Sequence, residues 1–246
     1  MALVYRHPRR VYQRMPKRLP LIEQYPPYTL FFNGSDGYIG IPAFGFNYNY
    51  MTFMCWMMAY DLAARHTLLG QSNALLVPSI EVGANPYASA PVSVIVPGVY
   101  EAVTISNAVA VKKWYNICVV KNGGGTAPII YVNGVQVPLA ISSPQTYATT
   151  SVAKQIGQRG NATQYFYGLI ALPLLYSRPL SQAEIQHNIH NPLSPVRDGL
   201  VLFLPFIEGS GTAVEDFSGL GNNGTLYGGV SWVELAKYEI PAGAGL

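Results

Sequence analysis

The sequence predicts an all-β protein built as a sandwich or barrel of antiparallel strands. Short runs rich in Val, Ile, Tyr and Phe recur along the chain and are interrupted by Gly, Pro and Asn. Only one segment, residues 181–190, has the pattern of a helix. The 246 residues are a length that a single β sandwich commonly reaches without division, so one main domain is expected.

Strands are predicted wherever a β-branched or aromatic run lies between turn residues. The run at 50–60 is mostly apolar at both odd and even positions, which predicts a central strand covered on both faces. The complete set of predicted strands is 28–32, 38–41, 50–60, 66–70, 92–96, 102–105, 114–121, 129–132, 136–138, 155–157, 165–176, 200–206 and 224–226.

Two local motifs predict defined turns and ends. Asn133-Gly134 separates two strand-like runs, and a two-residue hairpin turn needs the positive φ angles that Asn and Gly tolerate. Ser181 followed three residues later by Glu184 is a capping box, which predicts that a helix begins there. Pro192 and Pro195 end that helix.

The charges are few and are segregated along the chain. Charged residues make up 11% of the sequence, against roughly a quarter in typical globular chains. Six of the 15 basic residues precede the first acid, Glu23, whereas the segment after Gly199 holds five acids and one base. A low content of charged residues favours either extensive contact with neighbouring molecules or a large, tyrosine-rich core.

The basic segment at the start of the chain predicts an extended arm over residues 1–27. Its prolines favour an extended conformation, and we expect the arm to pack on a neighbouring subunit. Its charge could instead neutralise nucleic-acid phosphates, but no recognised nucleic-acid fold follows it. The arm residues are Arg6, Arg9, Arg10, Arg14, Lys17 and Arg18.

The remaining composition predicts no membrane span, metal or cofactor. The longest apolar run, 51–60, is far shorter than the roughly 18–20 residues that cross a bilayer. Cys55 and Cys118 lie in apolar strand patterns, which favours buried free thiols over a disulfide. His187 and His190 are three residues apart on the predicted helix and could share a metal, but no third ligand is evident, so solvated histidines are favoured.

An ordered set of motifs resembles the concanavalin A-like, laminin-G-like family. The resemblance spans 28–233 and implies a two-sheet antiparallel jelly-roll sandwich, followed by a tail at 234–246. Members usually bind glycans or proteins outside the cell. The family often has paired acids where this chain has Asp36-Gly37, so a calcium site at that pair is not expected. The matching segments are 32–39, 52–56, 114–119, 131–135, 156–157, 166–170 and the helix after Leu180.

One segment stands in an unusual place relative to this family. The segment 199–226, followed by Trp232, resembles the opening strands of the jelly roll but lies at the end of the chain. The domain is therefore expected to be circularly permuted or strand-swapped. The segment completes its own sandwich in cis, which we favour, or that of a neighbour in trans, which would generate a polymer.

Aromatic loops supply the candidate carbohydrate-binding residues. Sugars present apolar C–H faces that stack on tyrosine rings, while polar neighbours bind their hydroxyl groups. Two loop-like segments combine both kinds of side chain, although their rings could equally pack at subunit contacts or cap the core. The candidates are Asn47, Tyr48, Asn49, Tyr50, Arg159 and Tyr165.

The acids do not form the pattern that glycoside hydrolysis requires. Two carboxylates about 5–10 Å apart are needed, which on one strand requires acids at i and i+2 or i+4, and the 12 acids are scattered without this pattern. No catalytic residue is therefore predicted. Three sequons could carry glycans if the protein is secreted, at Asn33, Asn161 and Asn223.

These observations favour a non-enzymatic structural or adhesion subunit at a cell or virion surface, whose main partner is a second copy of itself. A monomeric carbohydrate-binding module is the first alternative. A glycosidase with unusual acid placement is the second.

Overall fold

The computed structural model describes residues 25–71, 77–96, 99–160 and 162–235. These residues form 17 strands and one helix. The arm residues Arg6 to Arg18 lie outside the described residues. The strands are β1 Tyr28–Asn33, β2 Tyr38–Asn47, β3 Tyr50–Ala59, β4 His66–Gln71, β5 Ser79–Val82, β6 Val92–Val96, β7 Val99–Thr104, β8 Tyr115–Asn122, β9 Ile129–Val132, β10 Val135–Gln136, β11 Leu139–Ser142, β12 Thr149–Ile156, β13 Tyr167–Tyr176, β14 Leu200–Phe203, β15 Ala213–Val214, β16 Gly224–Tyr227 and β17 Val230–Glu234, and helix α1 spans Gln182–His190.

The strands form two antiparallel sheets, which confirms the predicted sandwich. The first sheet has the order β10-β9-β8-β3-β13-β1-β17, and β14 also pairs with β13. The second sheet has the order β11-β7-β6-β5-β4-β12-β2-β16-β15. Apolar side chains from alternate positions of both sheets fill the space between them, among them Phe32, Phe53 and Ile80.

A second apolar cluster covers the outer face of the first sheet. Met54 and Cys118 lie in it, and helix α1 packs Ile185 and Ile189 onto them. This cluster explains why β3 is buried at nine of its ten positions, as its apolar pattern predicts. Cys55 belongs to the central core and Cys118 to the outer cluster, and both thiols are free and buried, as predicted.

The C-terminal segment closes the sandwich within its own chain. Strand β14 pairs with β13, β16 pairs with β2, and β17 pairs with β1. The turn between β16 and β17 is fixed to the turn after β1, because the Gly229 N–H donates to Asp36 Oδ1 at 2.9 Å. The cis arrangement expected for the displaced segment is confirmed in this structure.

The local motifs form as predicted. Asn133 and Gly134 have φ angles of 51° and 75° and connect β9 to β10. The Ser181 side chain accepts from the backbone of Glu184, and the Glu184 side chain accepts from the backbone of Ser181, which is a complete capping box. Four strands were not predicted: β5, β11, β15 and β17.

Two buried lysines lie near one end of the sandwich. Lys121 Nζ is 2.5 Å from Glu101 Oε1 and donates to two backbone carbonyls, and Tyr147 donates its hydroxyl to the other oxygen of Glu101. This ion pair links β8 of the first sheet to β7 of the second. The two charges stabilise each other only while both are present, because removal of either leaves a buried, unpaired ion.

Among the residues that the structure describes, Lys154 has no such counterion. Its ammonium group donates to the carbonyls of Phe44 and Val152, at 2.9 and 2.8 Å, and lies 3.5 Å from the centre of the Phe44 ring. Burial disfavours the charged form and lowers the pKa of Lys154 to about 8. The native state therefore loses this proton at a lower pH than the unfolded chain.

We expect the free energy of unfolding to rise with pH between about 8 and 10.5 through Lys154 alone. In that window the unfolded chain binds more protons than the native state, and the full contribution is up to about 3 kcal/mol. Denaturant unfolding of the wild type and of Lys154→Met at a series of pH values isolates this contribution, because all other groups are common to both. The stability advantage of the variant should shrink as pH rises. A difference independent of pH would contradict the assignment.

Candidate functional site

The outer face of the second sheet carries a row of polar and aromatic side chains. On β5, Ile80 and Val82 point into the core, so Ser79 and Glu81 lie on the outer face. Thr67 and Ser93 are the register partners of Glu81 on the neighbouring strands and share this face. By the same alternation, Tyr38 and Tyr227 lie outside on β2 and β16, next to the core residues Ile39 and Leu226.

Three tyrosines meet at one end of this row. The rings of Tyr38 and Tyr227 stack with centroids 4.8 Å apart and an interplanar angle of 16°. Gly40 leaves room for the Tyr227 ring, since a Cβ at this position would lie 2.8 Å from it. Burial raises the pKa of the Tyr38 hydroxyl, and the proximity of Tyr227 and Tyr165 raises it further. Tyr227 remains 47% exposed.

Polar side chains between the tyrosines and β5 have buried oxygens with no described partner. Gln158 donates from Nε2 to the Tyr165 hydroxyl at 2.7 Å, but its Oε1 accepts no hydrogen bond. The same holds for Thr67 Oγ1, Gln155 Oε1 and Glu81 Oε2. An oxygen in this state costs about 1–3 kcal/mol unless water or a ligand donates to it. Because these oxygens are buried, water or a ligand could donate to them only after a neighbouring side chain moves.

Residues 157–160 and 162–165 cross this face and supply three of its side chains, Gln158, Arg159 and Tyr165. The backbone of Gln158 and Arg159 passes so close to Gly70 of β4 that any side chain there would overlap with it. The loop is held on the sheet because Thr67 N–H donates to the Gln164 carbonyl at 2.9 Å. Ala162 and Gln164 have φ angles of 57° and 48°, a conformation that costs energy for residues other than glycine. The fold thus maintains a strained loop at this site.

The other end of the row is charged. Glu81 is 1% exposed and lies between two arginines, with Arg65 Nη1 3.5 Å from Oε2 and Arg159 Nη1 3.8 Å from Oε1. Its remaining contact is with the Ser79 hydroxyl, which donates to Oε1 at 2.8 Å. The Arg65 guanidinium also lies 5.7 Å from the centre of the Tyr100 ring. Tyr100 in turn contacts Tyr87, an aromatic side chain that is 54% exposed.

The structure divides the predicted carbohydrate-binding residues between two places. Arg159 and Tyr165 belong to the outer face of the second sheet. Asn47 is the last residue of β2 and Tyr50 the first of β3, about 25–30 Å from Tyr38 at the rise of an extended strand. The six predicted residues therefore do not form one site.

The prediction for Tyr48 is wrong. Its ring is fully buried in the central core against Phe46, so no face of it is available to a ligand. Asn49 has a structural role, because its amide donates to the Tyr147 carbonyl and accepts from the Tyr147 N–H. Asn47 accepts from the backbone of Asn49 in the same turn. Tyr50 is exposed, and its role remains a prediction.

The sequons have different environments. Both polar atoms of the Asn33 side chain make hydrogen bonds within the turn after β1. Nδ2 donates to Asp36 Oδ1 at 2.7 Å, and Oδ1 accepts from the backbone N–H groups of Ser35, Asp36 and Gly37. A glycan on Nδ2 would also meet the Gly229 backbone, so the outward orientation expected for Asn33 is not observed. Asn223 is exposed and stays a predicted acceptor, whereas Asn161 lies outside the described residues.

The histidines of helix α1 make ordinary local contacts. His187 Nε2 lies 3.0 Å from the Ser194 carbonyl, and His190 Nδ1 lies 2.7 Å from the Gln186 carbonyl. Across the described ranges, no cluster of three or more His, Cys, Asp or Glu side chains is placed to hold a metal ion. In the same ranges, no helix has the length and apolar character needed to traverse a bilayer.

The acidic side chains of the second sheet lie on opposite faces of the sheet, so they cannot act together on one ligand. Its strands carry two carboxylates, Glu81 on the outer face and Glu101, which is bound to Lys121 between the sheets.

Glu184, on helix α1, is held by Arg178 and by its cap contact with Ser181, which lower its pKa to about 2. A carboxyl group that stays ionised in this way is a poor general acid.

Sequence reasoning missed four residues of the outer face: Tyr38, Tyr227, Arg65 and Glu81. The alternation in Tyr38-Ile39 and Leu226-Tyr227 does indicate that both tyrosines point away from the core. That they stack on each other follows only from the pairing of β2 with β16, which joins distant parts of the chain.

Comparisons with known proteins agree with this fold. The following solved structures are among those similar to this chain, and their identities show the fold alone. A proposed carbohydrate-binding protein from Bacteroides ovatus has a TM-score of 0.66 and 16% identity, over 85% of this chain and 60% of that one. A pentraxin from Limulus polyphemus, a heptamer, has a TM-score of 0.56 and 9% identity, over 85% and 95%. Domain 4 of an extracellular arabinanase, AbnA, from Geobacillus stearothermophilus, solved with arabinotriose, has a TM-score of 0.51 and 15% identity, over 65% and 75%.

No curated protein sequence matches this chain. A family model described as the concanavalin A-like lectin/glucanases superfamily, of the laminin-G type, matches residues 33–186. The match covers more than half of the sequence. The chain therefore belongs to the concanavalin A-like lectin/glucanases superfamily.

Proposed function

We propose that this protein is a non-enzymatic, extracellular carbohydrate-binding protein whose ligand lies on the outer face of the second sheet. The observation that carries the proposal is the combination of stacked, partly exposed tyrosines with buried oxygens that have no described partner. Two of the similar structures are described as a proposed carbohydrate-binding protein and as an arabinanase domain in complex with arabinotriose, which supports the same class of ligand.

The chemistry of the face matches that of a sugar. A pyranose or furanose ring presents C–H groups that pack on a tyrosine ring, and Tyr227 is 47% exposed for such a contact. The hydroxyl groups at the edge of the sugar donate hydrogen bonds, and the buried Oε1 atoms of Gln155 and Gln158 would accept them once these side chains rotate toward the ligand. A ligand that satisfies these oxygens removes an existing energetic cost and therefore binds more strongly than its contact area suggests.

Binding without hydrolysis is favoured by the distribution of carboxylates. Both retaining and inverting glycosidases place two carboxyl groups across the scissile bond, about 5–10 Å apart. The outer face of the second sheet has Glu81 as its one carboxylate among the described residues, and two arginines and a serine hydroxyl already contact it.

A structural or adhesion role in a repeating cell-surface or virion-surface assembly is a second candidate. It is supported by the 11% content of charged residues and by the separation of the basic residues at the start of the chain from the acids at its end. Since the C-terminal strands pair in cis, assembly through exchange of those strands is not favoured. The basic segment that precedes the sandwich would then make the contact between subunits.

We expect Tyr227→Ala to weaken binding to glycans about tenfold, because the substitution removes the exposed ring of the stacked pair. Screening on an array of neutral and acidic glycans, followed by titration calorimetry with the strongest ligand, measures the effect. Tyr50→Ala is a matched control, because Tyr50 is also 47% exposed but lies at the far end of β2. If the loss instead follows Tyr50, the ligand site lies at the 47–50 turn, and our assignment is wrong.

Incubation with plant and bacterial polysaccharides should release no reducing sugar above the level of buffer alone. The expectation rests on the lack of a second carboxylate facing Glu81. Release that persists in the wild type and disappears in Glu81→Gln would show that the protein is a hydrolase.

Removal of residues 1–24 tests the assembly role. The deletion stops there because Tyr25 packs edge-on against Trp56 and Pro27 accepts a hydrogen bond from Leu235, so both are part of the sandwich. If the arm connects subunits, the truncated protein should keep its circular dichroism spectrum and lose any filaments or lattices seen by negative-stain microscopy. Equal assembly of the two proteins would refute a connecting role for the arm.

A further inference from the structure

We propose that the Arg65–Glu81–Arg159 cluster binds an anionic group of the ligand, so that the protein prefers acidic over neutral saccharides. This inference rests on the proposed function, because it assigns a ligand class to the same face of the sheet. The inference concerns the charged end of the face, whereas the proposed function rests on the tyrosine end.

The charge of the cluster is the first argument. Two guanidinium groups flank one carboxylate, which leaves a net charge of +1 at the edge of a largely buried face. The guanidinium groups are accessible, since Arg65 and Arg159 are 26% and 22% exposed, whereas Glu81 is buried beneath them at 1%. An approaching anion therefore meets the two cations before it meets the carboxylate.

The geometry of the two arginines is the second argument. At 3.5 and 3.8 Å, both contacts to Glu81 are longer than a hydrogen bond, and Glu81 Oε2 has no hydrogen-bond partner in the described structure. Each guanidinium carries five N–H donors in a planar fork, so most of them stay available for a second oxyanion. Both guanidinium groups lie within 4 Å of the same buried carboxylate, which keeps the two cations close to each other before a ligand arrives.

The position of the cluster is the third argument. Glu81 on β5 and Tyr38 on β2 are separated by β4 and β12, which places them about 14 Å apart at the usual strand spacing. Residues 157–160 and 162–165 span this interval, with Arg159 on the charged side and Tyr165 beside Tyr38. A short oligosaccharide can therefore stack on the tyrosines while a carboxylate or sulfate of a neighbouring residue reaches the arginines.

Affinity electrophoresis of the full chain in gels that contain polygalacturonate, dextran sulfate or neutral dextran, together with the glycan array, tests the proposal. We expect retardation by at least one acidic polymer and a preference for acidic glycans on the array. The double variant Arg65→Gln/Arg159→Gln should weaken binding to acidic glycans about tenfold or more and leave binding to any neutral glycan unchanged. Comparing polygalacturonate with dextran sulfate distinguishes a carboxylate from a sulfate as the recognised group.

Two further variants keep the result interpretable. The double variant leaves Glu81 buried without a counterion, so the triple variant Arg65→Gln/Arg159→Gln/Glu81→Gln, which removes all three charges, should show the same loss if the double variant fails to fold. Lys112→Gln/Lys113→Gln removes two exposed positive charges elsewhere and should retain binding. An equal loss in this lysine variant would mean that general charge attraction is responsible, which overturns the proposal.

The outcomes separate this inference from the proposed function. If neutral glycans bind through Tyr227 and acidic glycans bind no better, the arginine cluster is not a ligand site, and the carbohydrate-binding assignment still holds. If no glycan of either class binds, both fail.

Discussion

The fold depends on the hydrogen bonds of β1. This strand carries Leu30 and Phe32 into the central core and lies inside the first sheet, so its backbone needs a partner on each side. Strand β13 provides one partner, and β17, from the other end of the sequence, provides the other. Without the C-terminal segment, β1 would be an open edge beside an unfilled core, which favours pairing with another molecule. Closure in cis removes that edge, and it explains how strands that resemble the beginning of a jelly roll can stand at the end of the chain.

The same closure builds part of the candidate site. Strand β16 pairs with β2 and places Tyr227 directly opposite Tyr38, where Gly40 leaves space for the ring. The following turn is fastened at Asp36, whose pKa is lowered by hydrogen bonds from Asn33 and from the backbone of Gly229. Asp36, which stands where the family often has paired acids, therefore holds a turn. The tyrosine end of the outer face consequently exists only after the two ends of the chain have met, and binding and complete folding are coupled there.

Local signals were sufficient to predict most elements but not the site. The Asn133-Gly134 turn and the Ser181 cap depend on backbone geometry within a few residues, so the sequence alone identifies them. Strand β5 was missed because Ser79 and Glu81 interrupt its apolar pattern, and those same side chains belong to the candidate site. Tyr48 lies in the turn between β2 and β3, as its neighbours Asn47 and Asn49 suggest, but its ring packs inward against Phe46 instead of facing solvent, and no local pattern indicates that orientation. Functional faces made by distant strands require the sheet order, which no local pattern contains.

The two sheets differ in the side chains that cover their outer faces. This difference supports the ligand-binding role that we propose for the second sheet. The first sheet covers its outer face with an apolar cluster under helix α1, which is the ordinary way to stabilise a sandwich. The second sheet instead buries Thr67, Glu81, Gln155 and Gln158 with oxygens that no described residue satisfies, each at a cost of about 1–3 kcal/mol. Apolar side chains at these positions would preserve strand pairing and remove that cost. Stability therefore does not account for these polar residues, and ordered water or the ligand that we propose would satisfy their oxygens.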